Sequence, residues 1–386
     1  MTLNNTNFSW KIIPLIVIFL TINGLFVLKY VSRTSFHPVL LLTLYCVFAS
    51  VILFSFPYFV QTRNKKKINI LITLFCVFIT AGILSLYYFI DPNELKIDRW
   101  SAINNVIQNL FNGIYPYAAQ THLGGYGSPF PVWQLFHIPF YLLGNIALAM
   151  LFSFLILVFT LVRYQKVKIS AFFFILLLAI SPAFWYEVAV RSDLFYNFLL
   201  IFIVLVIIQY KKYRIDEKPI LLGLICGLFL STRLTVVIPF FIFFFSDFIT
   251  SHWKNKITYV FSIIATFIAS FLPLIFWNFE TLIFFEYNPF FLQSRQGSLL
   301  DFILIFPLSV ILAFSWKKDF IKFHAYTAYT IIILVTIVFL QRMITSNFVN
   351  NLFSSAYDIT YFNMALPFLI FSIVYSFNDI TENNKL

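Results

Sequence analysis

Charge is what this chain has least of. Only 11% of its 386 residues are Asp, Glu, Lys or Arg, against about 25% in soluble domains. Acidic side chains number fifteen, and none precedes Asp91. With 61% hydrophobic residues and a mean hydropathy of +0.90, so few charges cannot clothe a soluble surface. A soluble fold is excluded, and the chain reads as a polytopic, all-α membrane bundle. Cysteine is also rare. Cys46, Cys76 and Cys226 lie inside apolar runs with neither disulfide nor zinc spacing, and read as packing residues. No Asp/Glu/His cluster has metal spacing, so neither a metal nor another cofactor is expected. The net charge of +11 comes from short basic clusters between apolar runs, with no basic face interleaved with aromatics. Nucleic acid is therefore excluded as a partner. The first apolar run lacks a small-residue cleavage site and reads as a span. There is no internal repeat and no soluble domain: residues 1–386 form a single integral membrane domain.

At about 20 apolar residues per crossing, spans are predicted near 11–29, 38–60, 68–90, 142–162, 169–187, 194–210, 220–232, 234–247, 257–277, 299–316, 325–341 and 361–377. With twelve spans, eighteen of the 26 Lys and Arg fall on one side, including "RNKKK" (63–67), "RYQKVK" (163–168), "KKYRIDEK" (211–218), Lys11 and Lys385. The richer side is expected to be cytoplasmic, which puts both termini inside. Reading "PILLGLICGLFLSTRLTVVIPFFIFFFSDF" as one helix would give eleven spans, weaken that asymmetry and put Arg233 at mid-membrane, at a cost of about 3 kcal/mol. Two short helices meeting at an outward, recessed "STR" tip are expected instead.

The longest non-spanning segment, 91–141, faces outward. Ile103, Val106, Ile107, Leu110 and Phe111 mark one face of a helix over 99–112, with Asp98 at the N-cap and Gly113 at C′. Its apolar face is expected to rest on lipid. The Gly/Tyr/Pro loop that follows carries Tyr115, Tyr117, His122 and Tyr126, flat faces with polar tips suited to a ligand. A lone loop histidine such as His122 is also compatible with no binding role. His137, among apolar neighbours, reads as a satisfied interfacial side chain.

The run "IDRWSAINNVIQNLFNGIYPY", continuing to "SPFPVWQLFHIPFYLLG", resembles the GT-C superfamily of integral-membrane glycosyltransferases, above all its mannosyltransferase-like, polyprenyl-phosphate-sugar-dependent branches. "EVAVRSDLFYNFLLIFIV" resembles that family's Arg-x-Asp entry to a span. "LLGLICGLFLSTRLTVVIPFF" resembles its Gly-rich short helix pair with a basic tip. The likeness covers about 90–250. It departs in placing three predicted spans, rather than one, before the acidic loop.

The resemblance implies inverting sugar transfer from a polyprenyl-phosphate donor to a hydroxyl of a lipid-linked glycan, envelope polymer or lipid. The site would face outward from a bacterial cytoplasmic membrane, in contact with membrane lipids. Such a reaction needs a base for the hydroxyl and a cation for the departing phosphate. Asp98 is the candidate base, although as an N-cap it also reads as a plain helix cap. Arg233 is the candidate phosphate ligand, or else snorkels to headgroups. Glu187, Arg191 and Asp193 are candidates to orient the acceptor, or a structural charge group. The competing reading is a lipid-oligosaccharide flippase or transporter, or a polysaccharide polymerase. The absence of ionisable groups within the predicted spans argues against an ion-coupled transporter. Protein partners are not identified by the sequence.

Overall fold

The structure is a computed structural model and describes residues 12–60, 65–164, 168–284, 286–295, 297–316, 319–354 and 357–383. The predicted inside placement of the termini, with Lys11 and Lys385, falls outside them. In chain order the helices are α1 (Ile13–Val31), α2 (Pro38–Val60), α3 (Lys65–Phe89), α4 (Arg99–Phe111), α5 (Pro131–Leu142), α6 (Leu148–Tyr164), α7 (Lys168–Ala179), α8 (Pro182–Ala189) and α9 (Leu194–Lys211). They continue with α10 (Pro219–Leu230), α11 (Val237–Thr250), α12 (Trp253–Ile283), α13 (Pro289–Ser294), α14 (Leu299–Ser315), α15 (Phe320–Thr345), α16 (Phe348–Leu352) and α17 (Leu366–Asn383). No strand occurs among the described residues; an isolated bridge joins Gln120 and Tyr126.

The predicted spans overlie apolar helices, except that the one expected near 169–187 breaks into α7 and α8, where Ser181 and Pro182 interrupt the helix. Among the described residues, seven helices are long and apolar enough to cross a membrane, or eight spans if the α7–α8 pair, bent by 64°, counts as one. The helices at 148–164, 219–230, 234–250 and 299–315 are apolar but shorter. An all-helical membrane bundle follows, because lipid leaves backbone groups no partner except their own helix.

The chain divides into two compact units. One comprises Met1–Ser85, Leu155–Glu187 and Lys318–Leu386. Its most buried span is Ile359–Phe377, which takes in α17 as far as Phe377; α1, α2, α7 and α15 pack on that helix. The α7–α8 break is satisfied from α1. Asn23, fully buried, accepts hydrogen bonds at Oδ1 from Ser181 Oγ (2.6 Å) and Ala183 N (3.2 Å), so the freed backbone is not left bare. Opposite the break, Gly82 leaves room for the Trp185 ring, which a Cβ there would approach to 2.6 Å.

The other unit comprises Leu86–Phe154 and Val188–Lys317. Here α10 lies directly on α12. A Cβ at Gly223 would stand 2.5 Å from Ser262 Cβ and 2.6 Å from the Tyr259 carbonyl oxygen, and one at Gly227 would stand 2.8 Å from the Ile263 carbonyl oxygen. The two glycines, four apart on one face, let the helix backbones touch, the small-residue packing favoured where no hydrophobic effect drives helices together. The same short helix ends where predicted: Ser231–Arg233 break the run, and Arg233 is extended (φ −155°, ψ 147°).

Candidate functional site

Residues 91–141 lie entirely within the second unit. Helix α4 ends in a Schellman cap: Gly113 takes a left-handed φ of +68°, Ile114 N donates to the Asn109 carbonyl (2.9 Å) and Gly113 N to that of Leu110 (3.3 Å). Its apolar face does not lie on lipid, contrary to expectation. Ile103, Val106 and Ile107 are buried in protein, and only the far end, at Phe111, is exposed. The returning loop covers that face, and Gly127 sits so close that a Cβ would come within 2.5 Å of the Ala102 carbonyl oxygen.

Asp98 stands at the N-cap position, but its carboxylate caps nothing. Its backbone (φ −103°, ψ 10°) departs from the extended conformation that aims a cap side chain at the first helical N–H groups. Oδ2 instead accepts from Thr121 Oγ1 at 2.7 Å, and Thr121 Oγ1 in turn accepts from Gly125 N at 3.0 Å. The Thr121–Gly125 turn is closed by Thr121 N donating to the Gly125 carbonyl at 2.7 Å, with Gly124 at φ +81°. Oδ1 of Asp98 has no hydrogen-bond partner among the described residues, and the side chain is half-buried. One oxygen is fixed and the other is available.

His122 pins the same turn. Its Nε2 lies 2.8 Å from the Leu95 carbonyl, which can only accept, and Nδ1 lies 2.7 Å from Ser101 Oγ. Both ring nitrogens are thus committed to the loop. Tyr117 is buried and donates to the Pro129 carbonyl at 2.6 Å. Tyr115 and Tyr117 pack with Phe130, Phe271, Leu274 and Leu282, and burial pushes both phenols above their ordinary range. Tyr126 accepts from Gln120 Nε2 (3.2 Å) and meets the Tyr287 ring at 5.3 Å.

The predicted tip and the Arg-x-Asp segment meet in this unit. Arg233 donates through Nε (3.2 Å) and Nη2 to Asp193 Oδ2, which also accepts from Trp133 Nε1 of α5 at 2.7 Å. Asp193 is 1% exposed. Burial pushes its carboxyl up, but the charges of Arg233 and Arg99 and the Arg233 hydrogen bonds outweigh it and hold the group below the ordinary carboxylate range. Arg233 Nη1 has no partner among the described residues. The tip is moored to α5: Phe130 N donates to the Thr232 carbonyl (3.0 Å) and Val132 N to that of Ser231 (3.1 Å). Gln293 of α13, which the sequence reading passed over, accepts from Leu234 N (2.7 Å) and donates to the Ser128 carbonyl (2.7 Å).

His137 lies beneath Trp133. Nδ1 donates to the Trp133 carbonyl at 2.6 Å, so Nε2 carries no hydrogen and accepts from Tyr196 Oη at 2.5 Å. Burial lowers its pKa to about 4, so the ring is neutral. Near this ion pair in sequence, several buried polar atoms lack a hydrogen-bond partner among the described residues: Asp193 Oδ1, Ser192 Oγ, Asn197 Oδ1 and both ends of the Gln134 amide. Such atoms call for water or a polar ligand.

Two further predicted residues have partners of their own. Arg191, at φ 53°, clamps the end of α3, donating through Nη2 to the Tyr87 (2.9 Å) and Ile90 (3.1 Å) carbonyls with its guanidinium 5.4 Å from the Tyr87 ring centroid. Glu187 belongs to the first unit, where it is buried and accepts from Asn363 Nδ2 at 2.8 Å. Among the described residues no three His, Cys, Asp or Glu side chains gather as a metal site would require. No family model matches the chain, no curated protein matches it and no solved structure matches it.

Proposed function

We propose that this chain is an integral-membrane glycosyltransferase of GT-C type with twelve membrane segments and cytoplasmic termini. It transfers a sugar from a polyprenyl phosphate to an acceptor hydroxyl, a glycan or lipid, on the outward face of a bacterial cytoplasmic membrane. The observation that carries the reading is the Asp98 carboxylate. It forgoes its own helix cap, is oriented through one oxygen by Thr121, and keeps the other oxygen available. A residue needed only to start a helix would be expected to cap it.

In this reaction Asp98 Oδ1 accepts the acceptor's hydroxyl proton. The resulting oxygen nucleophile attacks the anomeric carbon from the face opposite the phosphate. The new C–O bond forms as the bond to the phosphate oxygen breaks, and the configuration inverts. The departing polyprenyl phosphate keeps the bonding electron pair, and its charge is met by Arg233 Nη1. Asp193 and Trp133 hold that guanidinium, and the Arg233 loop is anchored by Gln293. His122 and Tyr117 hold the roof of the site instead of touching substrate.

The bent α7–α8 pair is the observation that favours a flippase, since discontinuous helices commonly form transporter binding sites. Proteoliposomes containing the full chain and a panel of radiolabelled polyprenyl-phosphate sugars separate the two. Label appearing on an acceptor supports the transferase. Donor or oligosaccharide crossing the bilayer without covalent transfer contradicts it.

A further inference from the structure

The first unit carries a feature that sugar transfer does not use. Between α3 and α6 runs an open groove of about 440 Å³ with an apolar floor: Cys76 on one side, and Leu155, Val158, Phe159 and Val162 on the other, with Arg163 at its mouth. From Leu155 to Arg163 it extends about 12 Å along the helix, at 1.5 Å per residue.

One end of the groove carries a cation. Arg163 is exposed and has no hydrogen-bond or ion-pair partner among the described residues. Lys66 and Lys67 are exposed at the start of α3, and Lys168 at the start of α7 donates to Asn69 Oδ1 at 3.2 Å, tying the same helix ends together. Of the segments that line the groove, Met1–Ser85 holds no Asp or Glu and Leu155–Glu187 holds only Glu187, which lies in α8. The unit's third segment, Lys318–Leu386, holds Asp319, Asp358, Asp379 and Glu382, of which Asp319 pairs with Lys322. An apolar trough ending in an unpaired guanidinium matches a molecule with one hydrocarbon chain to lay down and one phosphate to present.

We propose that this groove is a binding site for an anionic phospholipid, with one acyl chain along the Val158–Phe159 floor and the phosphate on Arg163. The site is independent of the Asp98 chemistry, being built wholly from the other unit. It would couple the protein to lipid composition at its basic end.

The test is electron paramagnetic resonance of the full chain reconstituted in phosphatidylcholine vesicles, with spin-labelled phosphatidylglycerol or phosphatidylcholine added as probe. The wild type is expected to immobilise the phosphatidylglycerol probe in preference. Arg163→Gln should lower that preference about fivefold, the effect of one basic side chain at a membrane surface, while Arg163→Lys should retain most of it. Val158→Trp should also abolish it, by filling the trough without changing charge. Equal immobilisation of the two probes by the wild type would overturn the proposal, as would a preference that survives both Arg163→Gln and Val158→Trp. Displacement of the probe by polyprenyl phosphate but not by unlabelled phosphatidylglycerol would likewise overturn it, assigning the groove to the donor lipid.

Discussion

Asp193 holds Arg233 from forty residues away, using a single carboxylate oxygen that also takes the indole N–H of Trp133. Neither residue meets the other by helical spacing, since one precedes α9 and the other follows α10. The pair is buried, and its value lies in fixing a guanidinium at a helix break. Removing one partner strands the other's charge in a low-dielectric site.

Asp193→Leu and Arg233→Met should therefore each destabilise the protein by about 3 kcal/mol. The double variant Asp193→Leu with Arg233→Met should recover most of that loss, while sugar transfer stays absent. Thermal unfolding in detergent reads the first part, and the transfer assay reads the second. Additive losses in the double variant would show that the pair is not coupled.

The α10–α12 contact should be intolerant of side chains. Gly223→Ala pushes a methyl against the Tyr259 carbonyl and Ser262. Separating two helix backbones in this way should cost about 1–3 kcal/mol. Gly113→Ala, whose Cβ meets nothing, should cost only the left-handed strain of about 1 kcal/mol. The order of the two unfolding midpoints checks this.

His137 should make stability depend on pH. In the folded chain its pKa is about 4, against an ordinary value of 6.5. Between those values the unfolded chain binds a proton that the native ring refuses. Its contribution is thus complete above about pH 6.5 and is lost progressively as the pH falls toward 4. His137→Asn, which puts an amide N–H near the place of Nδ1, should flatten the slope in that window. Parallel melting-temperature curves for wild type and variant would contradict it.

Thr121 orients the proposed base, so Thr121→Val should lower kcat about tenfold, a loss of roughly one charge-assisted hydrogen bond. Thr121→Ser keeps the hydroxyl and should retain most of the rate. Equal activity in Val and Ser variants would remove Thr121 from the account.

Much of this was legible in the sequence because it is local. Apolar run length located the helices, Gly113 marked the end of α4, and "STR" marked the break before Arg233. What escaped notice depends on distant contacts. Nothing around Asp98 announces that Thr121, 23 residues on, will claim its carboxylate in place of the helix N-terminus. For Ile103, Val106 and Ile107, periodicity reveals an apolar stripe but not what covers it. The loop folding back through Gly127 supplied the cover. Gln293 sits in "PFFLQSR" with no pattern around it, and only the meeting of two loops gives it work.

The most direct test of the central claim is sugar transfer by Asp98→Asn in membranes, at abundance equal to wild type, with the same panel of polyprenyl-phosphate sugars. Asn can still accept the Thr121 hydrogen bond but cannot take a proton, so transfer should fall by about 10²–10⁴-fold while donor binding persists. Transfer at the wild-type rate by Asp98→Asn would contradict the account and leave Asp98 as a residue that merely holds a turn.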